Sequence, residues 1–318
     1  MAGEATQRGE AEPSALKPPF APIIINRPAR AVPGPLRVTL FNARGGVHMQ
    51  GIGDCLSRPP LGQSSLMLLC ESDWGTKRTG KREVAAELAR RLNMSFAYVP
   101  EFGIPQADGT HKSFLGNAIL STVPLTEVRA VALPRPLPER GNPMLRRRVG
   151  LNAALIAKAR FRHREIAVGV LHLASHCDPE ARAQQMATYL AAFPKAGPAL
   201  IGGDLNTTTT VLQSGRDMLR TFVQVFLRPS RFQAPQPYEP LFRRLSAAGL
   251  SVDDVNVRGK PTFTFTRVIP PRYRPKLDWL AIRAIRAVPA SAAVLPARRS
   301  LFSSRLSDHD FVTVELDI

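Results

Sequence analysis

The sequence predicts an α/β fold in which two packed β-sheets are flanked by helices. Short apolar runs of strand length alternate irregularly with amphipathic helices, without the strict βα repeat of a doubly wound sheet or a barrel. Polar side chains recur where the apolar runs end, as expected when strand ends build a site. A chain of 318 residues that is 44% hydrophobic can bury the core of one large domain.

The elements follow in chain order. Residues 1–34 are rich in Pro and lack a sustained period, so we predict an extended or disordered tail and a domain that spans residues 35–318. Helices are predicted at residues 81–92, where Val84, Leu88 and Leu92 share a face, and after the capped start Asp178-Pro179-Glu180. Apolar runs predict strands at residues 36–41, 65–70, 97–99, 117–121, 151–157, 166–173, 199–201, 261–266, 276–282 and 311–318.

The formal net charge of +18 favours a polyanionic partner such as nucleic acid or an anionic membrane surface. Eight of the 43 basic residues are Lys, and so strong a bias towards Arg is equally consistent with a GC-rich genome. The charge therefore agrees with a phosphorylated substrate and does not identify it.

Membrane and export segments are not expected. No apolar run approaches the ~20 residues that a membrane span needs, and Glu4 and Glu10 stand where a secretory signal would be apolar. The three cysteines are too few and too irregularly spaced for a disulfide framework or a zinc site. We expect a soluble, cytoplasmic monomer that has no transmembrane segment and whose surface can contact a membrane.

Acidic and amide side chains follow five of the predicted strands or their neighbouring loops. Hard oxygen ligands of this kind suit Mg²⁺ or Mn²⁺ better than zinc. A single carboxylate after an apolar run is more often a simple turn or helix cap, so only the five positions taken together indicate a metal site. The set consists of Asn42, Glu71, Asp204 with Asn206, Asp278, and Asp308.

In order along residues 36–318, these positions lie in stretches that resemble the motifs of the endonuclease/exonuclease/phosphatase superfamily. That superfamily includes pancreatic deoxyribonuclease, abasic-site endonucleases and neutral sphingomyelinases. One departure is Cys70, where many members carry Gln before the glutamate. The stretches are LRVTLFN ending at Asn42, LLCE at Glu71, GNAILS at 116–121, VLHL around His172, GGDLN at 202–206, PTFT at 261–264, LDW around Asp278 and SDH ending at His309.

The resemblance implies a four-layered α/β sandwich and a divalent-metal-dependent phosphohydrolase that cleaves phosphate ester P–O bonds. It implies that Glu71 is the principal metal ligand, with Asn42 and Asp308 close to the same Mg²⁺ or Mn²⁺. Asp204 would orient or deprotonate the attacking water, and Asn206 would hold the phosphate. His309, fixed by Asp278, and His172 would donate hydrogen bonds to the phosphate from two sides, where charge develops during attack.

Two further residues are candidate substrate contacts. Arg78 follows Glu71 closely enough to reach a phosphate, although a solvated helix-start residue is an equal alternative, and His176 is either a substrate contact or a loop residue. The fold does not select a substrate. We expect a phosphodiesterase with nucleic acid slightly favoured. The alternatives are a phospholipid, sphingomyelin or inositol-phosphate hydrolase and, from another class, a non-catalytic phosphate-binding module.

Overall fold

The computed structural model describes residues 21–32, 34–103, 113–136, 149–150, 152–209, 223, 227–266, 268–300 and 303–318. We number its elements in chain order. The helices are α1 Met49–Leu56, α2 Val84–Leu92, α3 Pro179–Ala192, α4 Ser230–Gln233 and α5 Leu241–Ala247, with short 3-10 helices at Leu61–Gln63, Lys77–Thr79 and Pro271–Tyr273. The strands are β1 Ile23–Ile25, β2 Leu36–Gly45, β3 Leu66–Trp74, β4 Ser95–Gly103, β5 Phe114–Ser121, β6 Leu125–Ala132, β7 Val149–Gly150, β8 Ala153–Phe161, β9 Arg164–His172, β10 Ala199–Asp204, β11 Asp278–Arg283, β12 Arg286–Ala287, β13 Ala293–Leu295 and β14 Phe311–Asp317.

The strands form two mixed sheets, which confirms the predicted fold class. Within the described residues, sheet A has nine strands in the order β1-β4-β5-β3-β2-β14-β12, with β13 beside β14 and β7 beside β4. Sheet B has five strands in the order β11-β10-β9-β8-β6. Each sheet contains one parallel pair, β2 with β3 and β9 with β10, and its other pairs are antiparallel.

Period-two alternation divides the apolar side chains into three layers. In β3, Leu66, Leu68 and Cys70 point into the core between the sheets, whereas Met67 and Leu69 point to the layer under α1 and α2. A third apolar layer packs α3 and α5 onto the outer face of sheet B. The result is helix, sheet, sheet, helix, as the resemblance implied.

One prediction about an element needs correction, and some elements were not predicted. Residues 261–266, predicted as a strand, make a single bridge between Phe263 and His309, because their side chains and backbone connect two loops instead of joining a ladder. The described part of the predicted extended tail, residues 1–34, contains β1, which pairs with β4 at the edge of sheet A. Strand β6 and helix α1 were not predicted.

None of the described helices is long and apolar enough to cross a membrane.

Candidate active site

Five strands from both sheets bring their polar ends to one edge of the sandwich. In sheet B, His172, Asp204 and Asp278 occupy neighbouring positions across β9, β10 and β11, where Asp204 is the pairing partner of both others. In sheet A, Asn42 lies opposite Cys70 at the point where β2 and β3 lose their register. Adjacent strand ends thus place side chains that are far apart in sequence within hydrogen-bonding distance.

Backbone irregularities aim the side chains of sheet A at this edge. The β2–β3 register shifts between Asn42 and Gly45, and the β3–β5 register shifts between Leu69 and Ser72. Glu71 has a φ of 49°, in the left-handed region that a Glu seldom adopts. Regular alternation would turn Glu71 towards the helix layer that contains Leu69. The bulge instead turns it towards the site, a common use of bulges beside functional sites.

The amide of Asn42 joins the carboxylates of the two sheets. Its Nδ2 donates to Asp204 Oδ2 at 2.9 Å and to Glu71 Oε1 at 3.2 Å. Its Oδ1 accepts the backbone N–H of Arg44 at 2.9 Å, which fixes the orientation of the amide. Asn42 therefore holds two carboxylates together that would otherwise repel each other.

Asp204 is the centre of the site and is almost fully buried. Its Oδ1 accepts the backbone N–H of Asn206 at 3.0 Å, while Oδ2 lies 3.6 Å from His309 Nε2 and 3.8 Å from His172 Nε2. Asn206 has a φ of 47°, and its Nδ2 donates to the carbonyl of Leu173 at 2.8 Å. The tight turn after β10 thus fixes both the Asp204 carboxylate and the Asn206 amide.

His309 is held by Asp278, as the resemblance implied. His309 Nδ1 lies 2.8 Å from Asp278 Oδ2, and the hydroxyl of Thr262 accepts the backbone N–H of Asp278. Burial lowers the pKa of His309, but the charges of Asp278 and Asp204 outweigh burial and raise it to about 10. His309 is consequently a cationic hydrogen-bond donor at neutral pH.

His172 is held in the same way by a residue that the sequence analysis missed. His172 Nδ1 lies 3.3 Å from Oε2 of Glu101, which is fully buried on β4. Burial opposes the charge on His172, but Glu101 foremost, with Asp204 and Glu71, raises its pKa to about 10. Glu101 lies just beyond the predicted strand 97–99, so the rule that selected Glu71 at a strand end also pointed to Glu101.

Two overlapping groups of side chains can hold a cation. Ligand atoms of Glu71, His172 and Asp204 lie within 4.8 Å of one another, as do those of Asp204, Asp278 and His309. Each imidazole bonds a carboxylate through Nδ1 and keeps one nitrogen, Nε2, for a ligand, whereas the carboxylates offer most of the free ligand atoms as oxygens, and Glu71 is the more exposed carboxylate. This donor set fits a hard divalent cation such as Mg²⁺ or Mn²⁺ better than zinc.

Asp308 lies beside the site and belongs to neither of these groups among the described residues. Its Oδ2 lies 3.4 Å from Nε of the exposed Arg44, and its Oδ1 accepts from Ser307 at 3.3 Å. Ser307 also donates to the carbonyl of Asn42 at 2.8 Å. Asp308 is therefore tied to the same end of β2 as the predicted metal ligands.

The two candidate substrate contacts differ in how they are fixed. Arg78 Nε and Nη2 bind the two carboxylate oxygens of the fully buried Asp73, each at 2.6 Å. The guanidinium lies so close to Gly45 that a Cβ there would come within 2.5 Å of Arg78 Nη2. His176 is exposed, with a φ of 55°, on the loop between β9 and α3. Arg78 is thus rigidly positioned near the site, whereas His176 is an exposed loop residue.

Comparisons with known proteins bear on the fold. No family model matches the chain, and no curated protein matches it. Among solved structures, an endonuclease/exonuclease/phosphatase from Beutenbergia cavernae is 19% identical with a TM-score of 0.60, over 88% of this chain and 71% of that one. The human Nocturnin catalytic domain with bound sulfate is 15% identical with a TM-score of 0.56, over 95% and 99% of the two chains.

A third similar structure is D. rerio TDP2 complexed with a single-strand DNA product. It is 14% identical with a TM-score of 0.55, over 89% of this chain and 99% of that chain. At these identities the likeness concerns the arrangement of strands and helices. The chain has the fold of the endonuclease/exonuclease/phosphatase superfamily.

Proposed function

We propose that this protein is a divalent-metal-dependent phosphodiesterase that hydrolyses phosphate ester bonds with water activated by Asp204. The observation that carries the proposal is the arrangement around Asp204. Two imidazoles, each held by a buried carboxylate, approach its Oδ2 to 3.6 and 3.8 Å, and Glu71 Oε1 lies 3.8 Å from one of them. In such a site, hydrogen-bond donors, a base and a cation site lie close enough together to contact the same phosphate group.

A metal ion fits the exposed side of this cluster. Glu71 would be its principal ligand, with Asn42 and Asp308 close by, and a phosphoryl oxygen would complete the shell. When bound, the cation would supply Lewis-acid stabilisation of the charge that builds up on the phosphoryl oxygens.

The protein's own residues divide the remaining work. Asp204 accepts a proton from water as the water oxygen bonds to phosphorus and the ester P–O bond breaks. His309 and His172, both cationic at neutral pH, donate to the phosphoryl oxygens from two sides. Asn206 carries an amide beside Asp204 that can hold the phosphate.

A nucleic-acid substrate is favoured over a lipid. The net charge of +18 attracts a polyanion, and a structure of similar fold is a complex with single-stranded DNA. A phospholipid, sphingomyelin or inositol-phosphate hydrolase is the alternative within the same chemistry. The non-catalytic phosphate-binding module is the alternative from another class.

The test is hydrolysis of a panel that contains single- and double-stranded DNA, RNA, sphingomyelin, inositol phosphates and an aryl phosphodiester. Each is assayed with Mg²⁺, with Mn²⁺ and with a chelator. Asp204→Asn is isosteric and is expected to lower kcat by roughly 10³-fold or more, whereas Asp317→Asn, on the exposed end of β14, is its matched control. Activity that survives chelation, or that Asp204→Asn leaves intact, contradicts the proposed mechanism.

Two further readouts separate the alternatives. Affinity for DNA should fall steeply with salt, because phosphate contacts release counterions, whereas lipid hydrolysis should not follow that relation. Metal-dependent binding of the panel without hydrolysis of any member would instead support the phosphate-binding module.

A further inference from the structure

The segment 261–277, which we name the rim loop, is fastened to the catalytic residues at both ends. The hydroxyl of Thr262 accepts the N–H groups of Leu277 and Asp278 at 3.0 and 3.1 Å. The backbone N–H of Thr264 donates to the carbonyl of Asp308 at 2.8 Å. The rim loop, which the structure describes except for residue 267, therefore has a defined position relative to the phosphate site.

Phe263 connects the rim loop with the catalytic histidine. Its ring packs edge-on against His309, with centroids 4.9 Å apart and planes at 69°. Thr262 and Thr264 are buried, whereas residues 263 and 265 are not, an alternation that places Phe263 and Phe265 on the same side of the segment.

Phe265 is 82% exposed and Val268 is 86% exposed, the two highest values among the described large apolar residues. A Phe ring left in water forgoes the free energy that it would gain by burial in an apolar environment. A ring that is exposed two residues after the Phe263–His309 contact, on a segment fixed at both ends, is suited to an apolar surface of the substrate.

The same loop carries Arg272 and Arg274. Arg274 donates through Nε to the carbonyl of Ile269 at 2.8 Å and lies 3.5 Å from the hydroxyl of Thr264. Arg272 lies over the ring of Tyr273, 4.8 Å from its centroid. An exposed aromatic ring on a loop that also carries arginines is typical of surfaces that stack bases and hold the backbone of a single strand.

We propose that Phe265 stacks on an unpaired base next to the scissile phosphate of single-stranded nucleic acid. This inference rests on the proposed function and adds the substrate class. A base attached to a phosphate at His309 has to pass the rim loop, since Phe263 contacts His309 and Phe265 follows on the same face. A base-stacking site tolerates every base and requires an unpaired strand, because each base has an aromatic face and pairing hides it.

The test compares Phe265→Ala and Phe265→Trp with the wild type on single-stranded oligonucleotides that carry a base or an abasic residue beside the scissile phosphate. Binding is measured in an Asp204→Asn background with Mg²⁺, and hydrolysis in the active enzyme. Phe265→Ala should weaken binding of the base-containing strand by about 5- to 100-fold and leave the abasic strand unchanged. Phe265→Trp should retain the preference. Ile25→Ala, half-exposed on β1, is the matched control and should match the wild type.

Three results would overturn the inference. Phe265→Ala could bind both strands like the wild type, or it could weaken both equally. It could also leave oligonucleotides unaffected while lowering binding to phosphatidylcholine/phosphatidylserine vesicles, which would make Phe265 a membrane contact. Failure of the proposed function has a different signature, namely no hydrolysis of any phosphodiester by the wild type, and binding in the Asp204→Asn background is measured independently of it.

Discussion

Each of the two histidines of the site is held through its Nδ1 by a carboxylate that belongs to the opposite sheet. Glu101 of sheet A holds His172 of sheet B, whereas Asp278 of sheet B holds His309 next to β14 of sheet A. Asn42 of sheet A likewise binds Asp204 of sheet B. His172, His309 and Asp204 are therefore each oriented by a residue of the opposite sheet, so the geometry of the candidate site requires the assembled sandwich.

At the residue scale, Glu101→Gln tests the pair that the sequence analysis missed. Gln keeps the side-chain shape but removes the charge that sustains the imidazolium of His172. We expect kcat to fall by roughly 100-fold with little change in KM, since the lost donation matters most in the transition state. The measurement is steady-state kinetics on the aryl phosphodiester, with Asp253→Asn, an exposed acid, as the control. A variant with wild-type kcat would show that Glu101 is only a packing residue.

A second residue-scale prediction concerns the anchor of Arg78. Asp73→Asn removes a buried, bidentate partner, so the guanidinium loses its fixed position beside Gly45. If Arg78 contacts substrate phosphate, KM for oligonucleotides should rise about 5- to 50-fold while kcat stays within about threefold of the wild type. Asp54→Asn is the control, because it breaks an exposed pair with Arg91 that contributes little. Equal kinetic effects of the two variants would remove Arg78 from the site.

At the element scale, the apolar patterns of the sequence predicted the sheets well and the irregular segments poorly. Alternation and strand length identified β2, β3, β9 and β10, because burial on both faces leaves an unmistakable signature. The bulges at Asn42–Gly45 and Leu69–Ser72 leave no such signature. The sequence could therefore place Glu71 at a strand end but could not show the turn that aims it.

In the rim loop, the sequence pattern predicted a regular strand where the structure has an irregular segment. Residues 261–266 alternate like a strand, yet the buried hydroxyl of Thr262 accepts the backbone N–H groups of residues 277 and 278 instead of facing a core. Likewise α1 begins in the glycine-rich segment after β2, where helix propensity is low and packing under sheet A decides the structure. Tertiary contacts, which a single sequence does not display, determine both segments.

Gly203 sets the distance between the two parallel strands that carry His172 and Asp204. A Cβ at Gly203 would lie 1.8 Å from the carbonyl oxygen of Leu171, so Gly203→Ala must push β9 and β10 apart. We expect a loss of about 2 to 4 kcal/mol of unfolding free energy, as for other overpacked core sites, with a large fall in kcat. Chemical denaturation and kinetics measure the two effects.

The control for this substitution is Gly197→Ala. Gly197 has a φ of 80° and open space around its Cβ position, so only a backbone cost of about 1 kcal/mol is expected and kcat should be unchanged. Similar losses of stability and kcat in both variants would mean that the close approach of β9 and β10 has no special role.

At the scale of the whole molecule, a buried lysine ties sheet B to the loops around the site. Lys276 is 1% exposed, its Nζ donates to the carbonyl of Val257 at 2.8 Å, and the ammonium lies 4.2 Å from the ring centroid of Trp279. Its own carbonyl accepts the hydroxyl of Thr207 at 2.6 Å. These contacts therefore hold the segment before β11 against the loop after β10, and they fix the relative positions of Asp278 and Asp204.

The charge of this lysine makes global stability depend on pH. Burial lowers the pKa of Lys276 to about 7, although Asp278 opposes the shift. The unfolded chain, whose Lys pKa is about 10.4, thus binds more protons than the folded chain between pH 7 and 10. The stabilisation that Lys276 contributes is complete above its unfolded-state pKa. It is lost progressively as the pH falls from about 10 to its folded-state pKa of about 7.

Lys276→Met removes that dependence. Between pH 7 and pH 10 the unfolding free energy of the wild type should rise relative to the variant, by an amount on the order of 3 kcal/mol, because only the wild type has a lysine that the fold deprotonates. Urea denaturation at several pH values measures the difference, in which the titration of all other groups cancels. Lys260→Met, at an exposed lysine, should instead run parallel to the wild type. A parallel course for Lys276→Met as well would mean that Lys276 keeps its proton inside the fold and that Asp278 and Trp279 stabilise it as a cation.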